Sequence, residues 1–348
     1  MPPSLLTQLP WTTAPLIANA PMGGFAGAQL AVAVSEAGGL GFIGTITPGT
    51  LKQELSAAVE LLQTSKTLDT SSSKTLPIGI GMLPFITNID DMLPHLAQNP
   101  PAVIWLFAAK ERNDYAAWAE QSRKVCPDTR IWVQVGSVSA ALEIAKSTKP
   151  DALVLQGSDA GGHGFENGAS IVSLIPEAID TLAANGYGDI PLLASGGIAD
   201  GRGAAAAFAL GAKGAVMGTR FLAAKETAVP PGYRDLVLAA RDGGMSTVRS
   251  KLFDNVKGPN IWPEEYDGRS LVTKSYMEHV QGVAIEEIRE KHNEAVKGAD
   301  QGFGSTNRAN VWAGAGVGLV NTVTTAADIV SEVRSGIRLA FENPAARA

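Results

Sequence analysis

The stretch PLLASGGIADGRGAAAAFALGAKGAVMGTRF, residues 191–221, decides the fold. It opens on an apolar run at Pro191–Ala194, turns through a glycine-rich loop and continues as an alanine-rich helix at Gly203–Leu210. It then returns to an apolar run at Ala215–Gly218. Both runs are apolar on consecutive residues instead of alternating, which is the pattern of a strand buried on both faces. Two such strands joined by a helix form a crossover unit and must lie parallel.

The same rhythm extends toward the N-terminus. Strand-like runs at Leu16–Pro21, Leu40–Gly44, Pro77–Met82, Ala102–Phe107, Ile131–Val135 and Ala152–Gln156 alternate with helical stretches. These include Ala28–Ala37, Leu51–Leu62, Tyr115–Val125, Ala140–Lys146 and Ile175–Asn185. The repeated strand–helix alternation predicts an α/β fold, a closed (β/α)8 TIM barrel. An open doubly wound sheet would place G-x-G-x-x-G after its first strand, and the chain has APMGGFAG there, at 20–27. The alternation stops after Phe221. Residues 226–322 read as a mostly helical cap, with YDGRSL at 266–271 as a turn and Met277–Lys297 as a polar-faced helix. An amphipathic helix near 325–341 then returns to the barrel as its eighth. The predicted domains are therefore a barrel of 1–225 plus 323–348 and an inserted cap of 226–322. TSKTLDTSSSKT at 64–75 reads as an exposed loop.

Bulk composition narrows the function classes. A net charge of −6 with no block of Lys and Arg argues against nucleic acid and anionic membranes as partners. No apolar run reaches the roughly 18 residues of a membrane span. The N-terminus has no signal-peptide pattern, so a cytoplasmic protein is expected. The single cysteine, Cys126, rules out an intrachain disulfide and reads as a helix-end residue without chemistry. His95, His279 and His292 are far apart in sequence on helical stretches. They read as surface residues, and no metal site is expected.

In a barrel the loops after the strands form the active face. APMGG at 20–24 and GIGM at 79–82 present small residues there, with Gly81 lacking a side chain where a bulky one would point at the mouth. Gln134 and Gln156 end their strands as amides. QGSDAGGHG at 156–164 surrounds His163 and Asp159 with glycines. An imidazole titrates near neutrality and suits a general base toward a carbon acid, whereas Asp159 reads as a loop-orienting residue. ASGGIADG at 194–201, with Ser195, Gly196 and Gly197, precedes a helix N-terminus. MGTRF at 217–221 adds Gly218 and Thr219. Main-chain N–H groups on these last two loops make the phosphate site common to barrels. A phosphate site, small residues and one histidine point to a phosphorylated planar cofactor, whose geometry FMN satisfies.

At these residues the sequence resembles the nitronate monooxygenases, also called 2-nitropropane dioxygenases. The likeness runs through APMGG, QGSDAGGHG, ASGGIADG, MGTRF and WAGAGVGLV at 312–320, and covers nearly the whole chain. It implies non-covalent FMN, with the phosphate at Gly196, Gly197, Gly218 and Thr219 and ring contacts from Ala20, Pro21, Met22, Gln134, Gln156 and Gly161. It implies that His163 removes the α-proton of a nitroalkane or hydrogen-bonds a nitronate. Reaction with O2 then gives a carbonyl compound and nitrite. Many bacterial relatives carry a lysine where Gln134 stands, so this chain offers a dipole in place of a charge. Two other readings fit the same residues: an NAD(P)H:quinone or enoyl-thioester reductase, and a non-catalytic flavin-binding protein. A homodimer is left open.

Overall fold

The computed structural model describes residues 5–45, 47–68 and 73–342. Its strands in chain order are β1 (Ile17–Asn19), β2 (Phe42–Gly44), β3 (Leu76–Met82), β4 (Pro101–Leu106), β5 (Arg130–Val135), β6 (Ala152–Gln156), β7 (Gly162–Phe165), β8 (Leu192–Ser195), β9 (Gly214–Met217), β10 (Thr247–Ser250) and β11 (Tyr266–Leu271). Eight of them form one parallel sheet in the order β1-β9-β8-β6-β5-β4-β3-β2. The seam between β1 and β2 is closed by a parallel bridge from Ala18 to Leu40. Asn19 strengthens it: its amide donates to the Phe42 carbonyl at 2.8 Å and accepts from the Phe42 N–H at 2.9 Å. The predicted TIM barrel is the observed fold, and all eight predicted strands coincide with barrel strands to within a few residues.

Strand parity sorts the side chains into two layers, because successive residues point to opposite faces. Ile17, Ile43, Ile80, Ile104, Val133, Leu155 and Ala194 face the surrounding helices. Ala18, Phe42, Trp105, Trp132, Val154, Leu193 and Val216 fill the barrel interior. Phe42 meets Trp105 edge-on at 5.0 Å, and Trp105 lies 6.3 Å from Trp132, so the barrel is a packed core. Cutting either tryptophan to alanine would cost about 3–5 kcal/mol. The same parity carries Gln134, Gln156 and Ser195 to the inward face at the C-terminal ends of their strands.

The helix Ala326–Glu342 packs on Gly201–Ala209 through a close crossing of Gly336 over Gly201 and completes the helical ring, as expected. Between barrel and final helix the regular structure is more helix than strand, but loops make up much of the segment, and one expectation is corrected. YDGRSL is not a turn but β11, the centre of an antiparallel sheet in the order β10-β11-β7. A second difference concerns Met277–Lys297, which is two helices, Lys274–Val280 and Ile285–Lys297. Of the expected loop at 64–75, residues 69–72 lie outside the described residues. No helix among the described residues is long and apolar enough to cross a membrane.

Candidate active site

A cavity of about 750 Å³ opens at the C-terminal end of the barrel. Ala20, Pro21, Met22, Gln134, Gln156, Gly161, His163, Ser195, Gly196, Gly197, Gly218 and Thr219 all line it. Gly81 does not. A side chain on it would collide with the ring of Pro21, so its role is to let Pro21 approach the mouth.

The two strand-end amides have fixed orientations. An indole N–H can only donate, and that of Trp105 donates to Gln134 Oε1 at 3.1 Å. The Gln134 amide must therefore turn its NH2 group away from Trp105, leaving it for a ligand. Gln156 Nε2 donates to the His163 carbonyl at 3.0 Å. Its Oε1 is buried without a hydrogen-bond partner among the described residues. An orphaned buried acceptor costs about 1–3 kcal/mol, so a ligand donor reaching Gln156 would be well rewarded.

The loops expected to bind an anion carry unused donors. Gly196 and Gly197 adopt φ of 103° and 74°, a backbone that glycine takes without strain. Among the described residues, the N–H groups of Gly196, Gly197 and Gly218 make no hydrogen bond to protein. Thr219 Oγ1 accepts from the Gly314 N–H at 3.0 Å, which leaves its hydroxyl proton free to donate. The helix N-terminus contributes less than expected. Asp200 caps the helix Gly201–Ala209 and takes the N–H groups of Arg202 and Gly203 at 2.9 and 3.1 Å. Its carboxylate occupies those donors, so an anion here relies on the glycine and threonine donors.

His163 lies on a short strand instead of the expected open loop. In β7 it pairs with Gly268 of β11. Its ring stacks on Trp262, with centroids 3.7 Å apart and planes 9° apart, and Trp312 approaches at 4.7 Å. Its Nε2 lies 2.9 and 3.0 Å from the two carboxylate oxygens of Asp254. Lys257 follows on the same segment, with Nζ 5.1 Å from the Trp312 ring centre. It forms no ion pair among the described residues, since Asp254 pairs with His163. Water reaches Lys257 inside the cavity mouth, yet surrounding protein desolvates it and pushes its ammonium below the usual lysine range. The nearby Asp254 opposes that shift.

The loop between β6 and β7 is braced from two sides. Arg249 and Arg269 stand opposite each other on β10 and β11 and reach the carbonyls of Ala160 and Ser158 at 3.4 and 3.2 Å. Like charges facing across a ladder repel, and burial followed by the Arg249 charge pushes the Arg269 guanidinium down. Asp267 offsets this by accepting from Arg249 Nε at 2.8 Å. On the other side, Ala315 N–H donates to the Asp159 carbonyl at 2.9 Å, and Gly314 crosses Gly161 too closely for either to carry a side chain. The main chain of Asp159 thus helps hold the loop. Among the described residues no group of three or more His, Cys, Asp and Glu is placed to hold a metal.

The family description "Nitronate monooxygenase" matches residues 4–69 and 85–336. The chain belongs to the nitronate monooxygenase family. It is an enzyme, an oxidoreductase of that family. It is 43% identical to a nitronate monooxygenase of Metarhizium robertsii over 339 residues, spanning 96% of this chain and 94% of that one. It is 37% identical to a nitronate monooxygenase of Neurospora crassa, spanning 95% and 91%. Among solved structures it resembles FabK from Thermotoga maritima with a TM-score of 0.74, all of both chains covered and 24% identity, a likeness of fold.

For this nitronate monooxygenase family member, sequence reasoning gave no site role to Asp254, Lys257, Trp262 or Trp312. All four stand in the inserted segment; Trp312 opens the WAGAGVGLV motif, but nothing local marks the other three. Asp254 is 91 residues from His163 and meets it only because β11 pairs with β7. His292, expected on the surface, is 4% exposed, with Nδ1 3.0 Å from the Arg308 carbonyl. Burial pushes its imidazole below the usual range.

Proposed function

We propose that the enzyme binds FMN non-covalently and oxidises alkyl nitronates with O2 to carbonyl compounds and nitrite, accepting neutral nitroalkanes after His163 removes their α-proton. The observation that carries this reading is one cavity lined both by unused main-chain donors after β8 and β9 and by a carboxylate-paired histidine. The residues present fit FMN. Gly196, Gly197, Gly218 and Thr219 would take the phosphate, and the free amide of Gln134 and the orphaned Gln156 Oε1 would meet the edge of the ring. Ala20, Pro21, Met22 and Gly161 supply surfaces for its faces, with Ser195 at the strand end beside them. When bound, FMN would supply the electron-accepting chemistry that side chains lack.

The protein's own part is to bind, orient and move one proton. His163 accepts the α-proton, and the C–H electron pair passes into the nitro group to give the nitronate. A nitronate is an anion, and Lys257 places a cation at the same cavity. The aromatic rings of Phe85, Phe107, Trp262 and Trp312 make the remaining wall apolar and limit water near the reacting carbon. Residues 226–322 serve as the substrate cap of the barrel, because they supply Asp254, Lys257 and both of these indoles.

Oxygen uptake by the purified holoenzyme with ethyl nitronate tests the reading. Expected are O2 consumption and nitrite in the medium. Rapid anaerobic bleaching of the flavin by NADH, with no response to ethyl nitronate, would instead select a reductase. A yellow protein inert to both would select a flavin carrier.

A further inference from the structure

Three constraints hold His163, and each fixes a different freedom. Pairing of β7 with β11 and the Gln156 contact fix its backbone. The Trp262 face, nearly parallel at 3.7 Å, fixes the plane of its ring. What remains is which nitrogen of the ring carries the proton. Asp254 lies on the short helix Leu252–Asn255, is 8% exposed, and presents both oxygens to Nε2.

We propose, resting on the function proposed above, that Asp254 is a positioning residue that accepts Nε2–H and thereby makes Nδ1 the atom that takes the substrate proton. The chemistry leaves little choice. An ionised carboxylate only accepts hydrogen bonds, so a contact at 2.9 and 3.0 Å requires hydrogen on Nε2. In the neutral ring the other nitrogen then bears the lone pair. Among the described residues Nδ1 has no hydrogen-bond partner, and His163 lines the cavity.

The proton balance follows. The α-C–H bond breaks, its electron pair stays with the substrate as nitronate, and an N–H bond forms at Nδ1. The ring becomes an imidazolium beside a carboxylate. Its new charge is met by Asp254 on one edge and by the indole face of Trp262 on the ring plane, both of which favour a cation. Lys257, the other charged group near Asp254, meets the product anion instead. A buried carboxylate with this role orients a histidine without itself being protonated. Because Asp254 and Trp262 both come from the inserted segment, the base acquires its reactive form only where that segment is folded onto the barrel.

The direct test is the tautomer. Holoenzyme labelled with 15N-histidine is examined by long-range 1H–15N correlation at pH 9, with His163 assigned by the signal that disappears in His163→Asn. The expected pattern is a protonated Nε2 and a bare Nδ1. A proton on Nδ1 overturns the proposal. The second measurement is Asp254→Asn, which keeps the shape but lets an amide NH2 face Nε2. Turnover of nitroethane should fall roughly a hundredfold or more, in kcat more than in KM. Ethyl nitronate should lose far less, and Asp254→Glu should recover part of the loss. An unchanged ratio of nitroethane to ethyl nitronate activity, with the tautomer also unchanged, overturns the proposal. Where Asp254→Asn fails to fold or nitroethane is not turned over, the spectrum of the unaltered enzyme decides alone. Failure of that enzyme to oxidise ethyl nitronate would sink the proposed function. A proton on Nδ1 in an enzyme that does oxidise it would sink only this assignment.

Discussion

Gln134, Gln156 and Ser195 stand at the ends of barrel strands, whereas Asp254, Lys257, Trp262 and Trp312 stand on a four-residue helix and loops of the inserted segment. The first group is held by the closed ladder and a fully buried aromatic interior. The second is held by β11 pairing with β7 and by side-chain contacts around His163. The difference separates two tasks. On the proposed function, the barrel half would be a rigid seat for a cofactor, and the inserted half would prepare the base and receive the substrate. Damage to the first should remove flavin and activity together, while damage to the second should spare flavin and change turnover.

Gly218→Asp should have the largest effect. Glycine is not required there by strain, because φ is −98° and an added Cβ would meet only Ala20 Cβ at 3.6 Å and Met22 sulfur at 3.9 Å. The new carboxylate would instead repel a phosphate. Flavin uptake and activity should vanish while the far-ultraviolet circular dichroism spectrum stays native; a yellow variant would move the anion site elsewhere. Gly197→Asp should do the same, with added strain from its positive φ and from Asp159 beside it.

His163→Asn belongs to the other half. It should keep flavin and lower turnover of neutral nitroalkanes by about 10²–10⁴-fold, with a much smaller loss on pre-formed nitronates. Steady-state kinetics with both substrate forms decides. Equal loss on both would remove His163 from the proton transfer.

Lys257→Met should raise KM for ethyl nitronate by roughly tenfold, the scale of a lost hydrogen bond to a charged group, with kcat little changed. Its pH dependence follows from the lowered ammonium. The lysine is charged below its folded-state pKa, which lies under the ordinary 10.5 because of burial. Nitronate affinity should therefore be full on the acid side and decline as pH rises, before 10.5 is reached. The variant's KM should lack that rise, and a rise surviving in Lys257→Met would assign it to another group.

Trp105→Phe is the subtlest. It removes the N–H that orients Gln134 and leaves Oε1 buried without a donor, at a cost of about 1–3 kcal/mol. Urea melts should show that loss, and flavin titration should show affinity weakened by a few-fold. A flavin affinity unchanged beside a clear loss of stability would confine Trp105 to packing.

These contrasts track what the sequence made legible. Ala152–Gln156 and Ala215–Gly218 could be read as strands because burial on both faces forces continuous apolar runs, and parity then places Gln156 and Gly218 inward. YDGRSL could not, because Asp and Gly disfavour strands. Its pairing is imposed by β7 and by Arg249–Asp267, partners distant in sequence. Asp254 and Trp262 carry no local pattern, since only the fold brings them to His163. Asp200 misled for another reason: capping residues and anion sites both gather at helix N-termini, and here the side chain fills the place of the ligand. Gly81 was legible as an inward position, but not as one covered by Pro21.

Titration of flavin-free protein with FMN and with riboflavin, followed by fluorescence quenching, tests most directly whether the donors after β8 and β9 grip a phosphate. One FMN per chain should bind, at least roughly a hundredfold more tightly than riboflavin, which lacks the charge-assisted hydrogen bonds. Equal affinity for the two flavins, or uptake of neither, would contradict this seat for the cofactor.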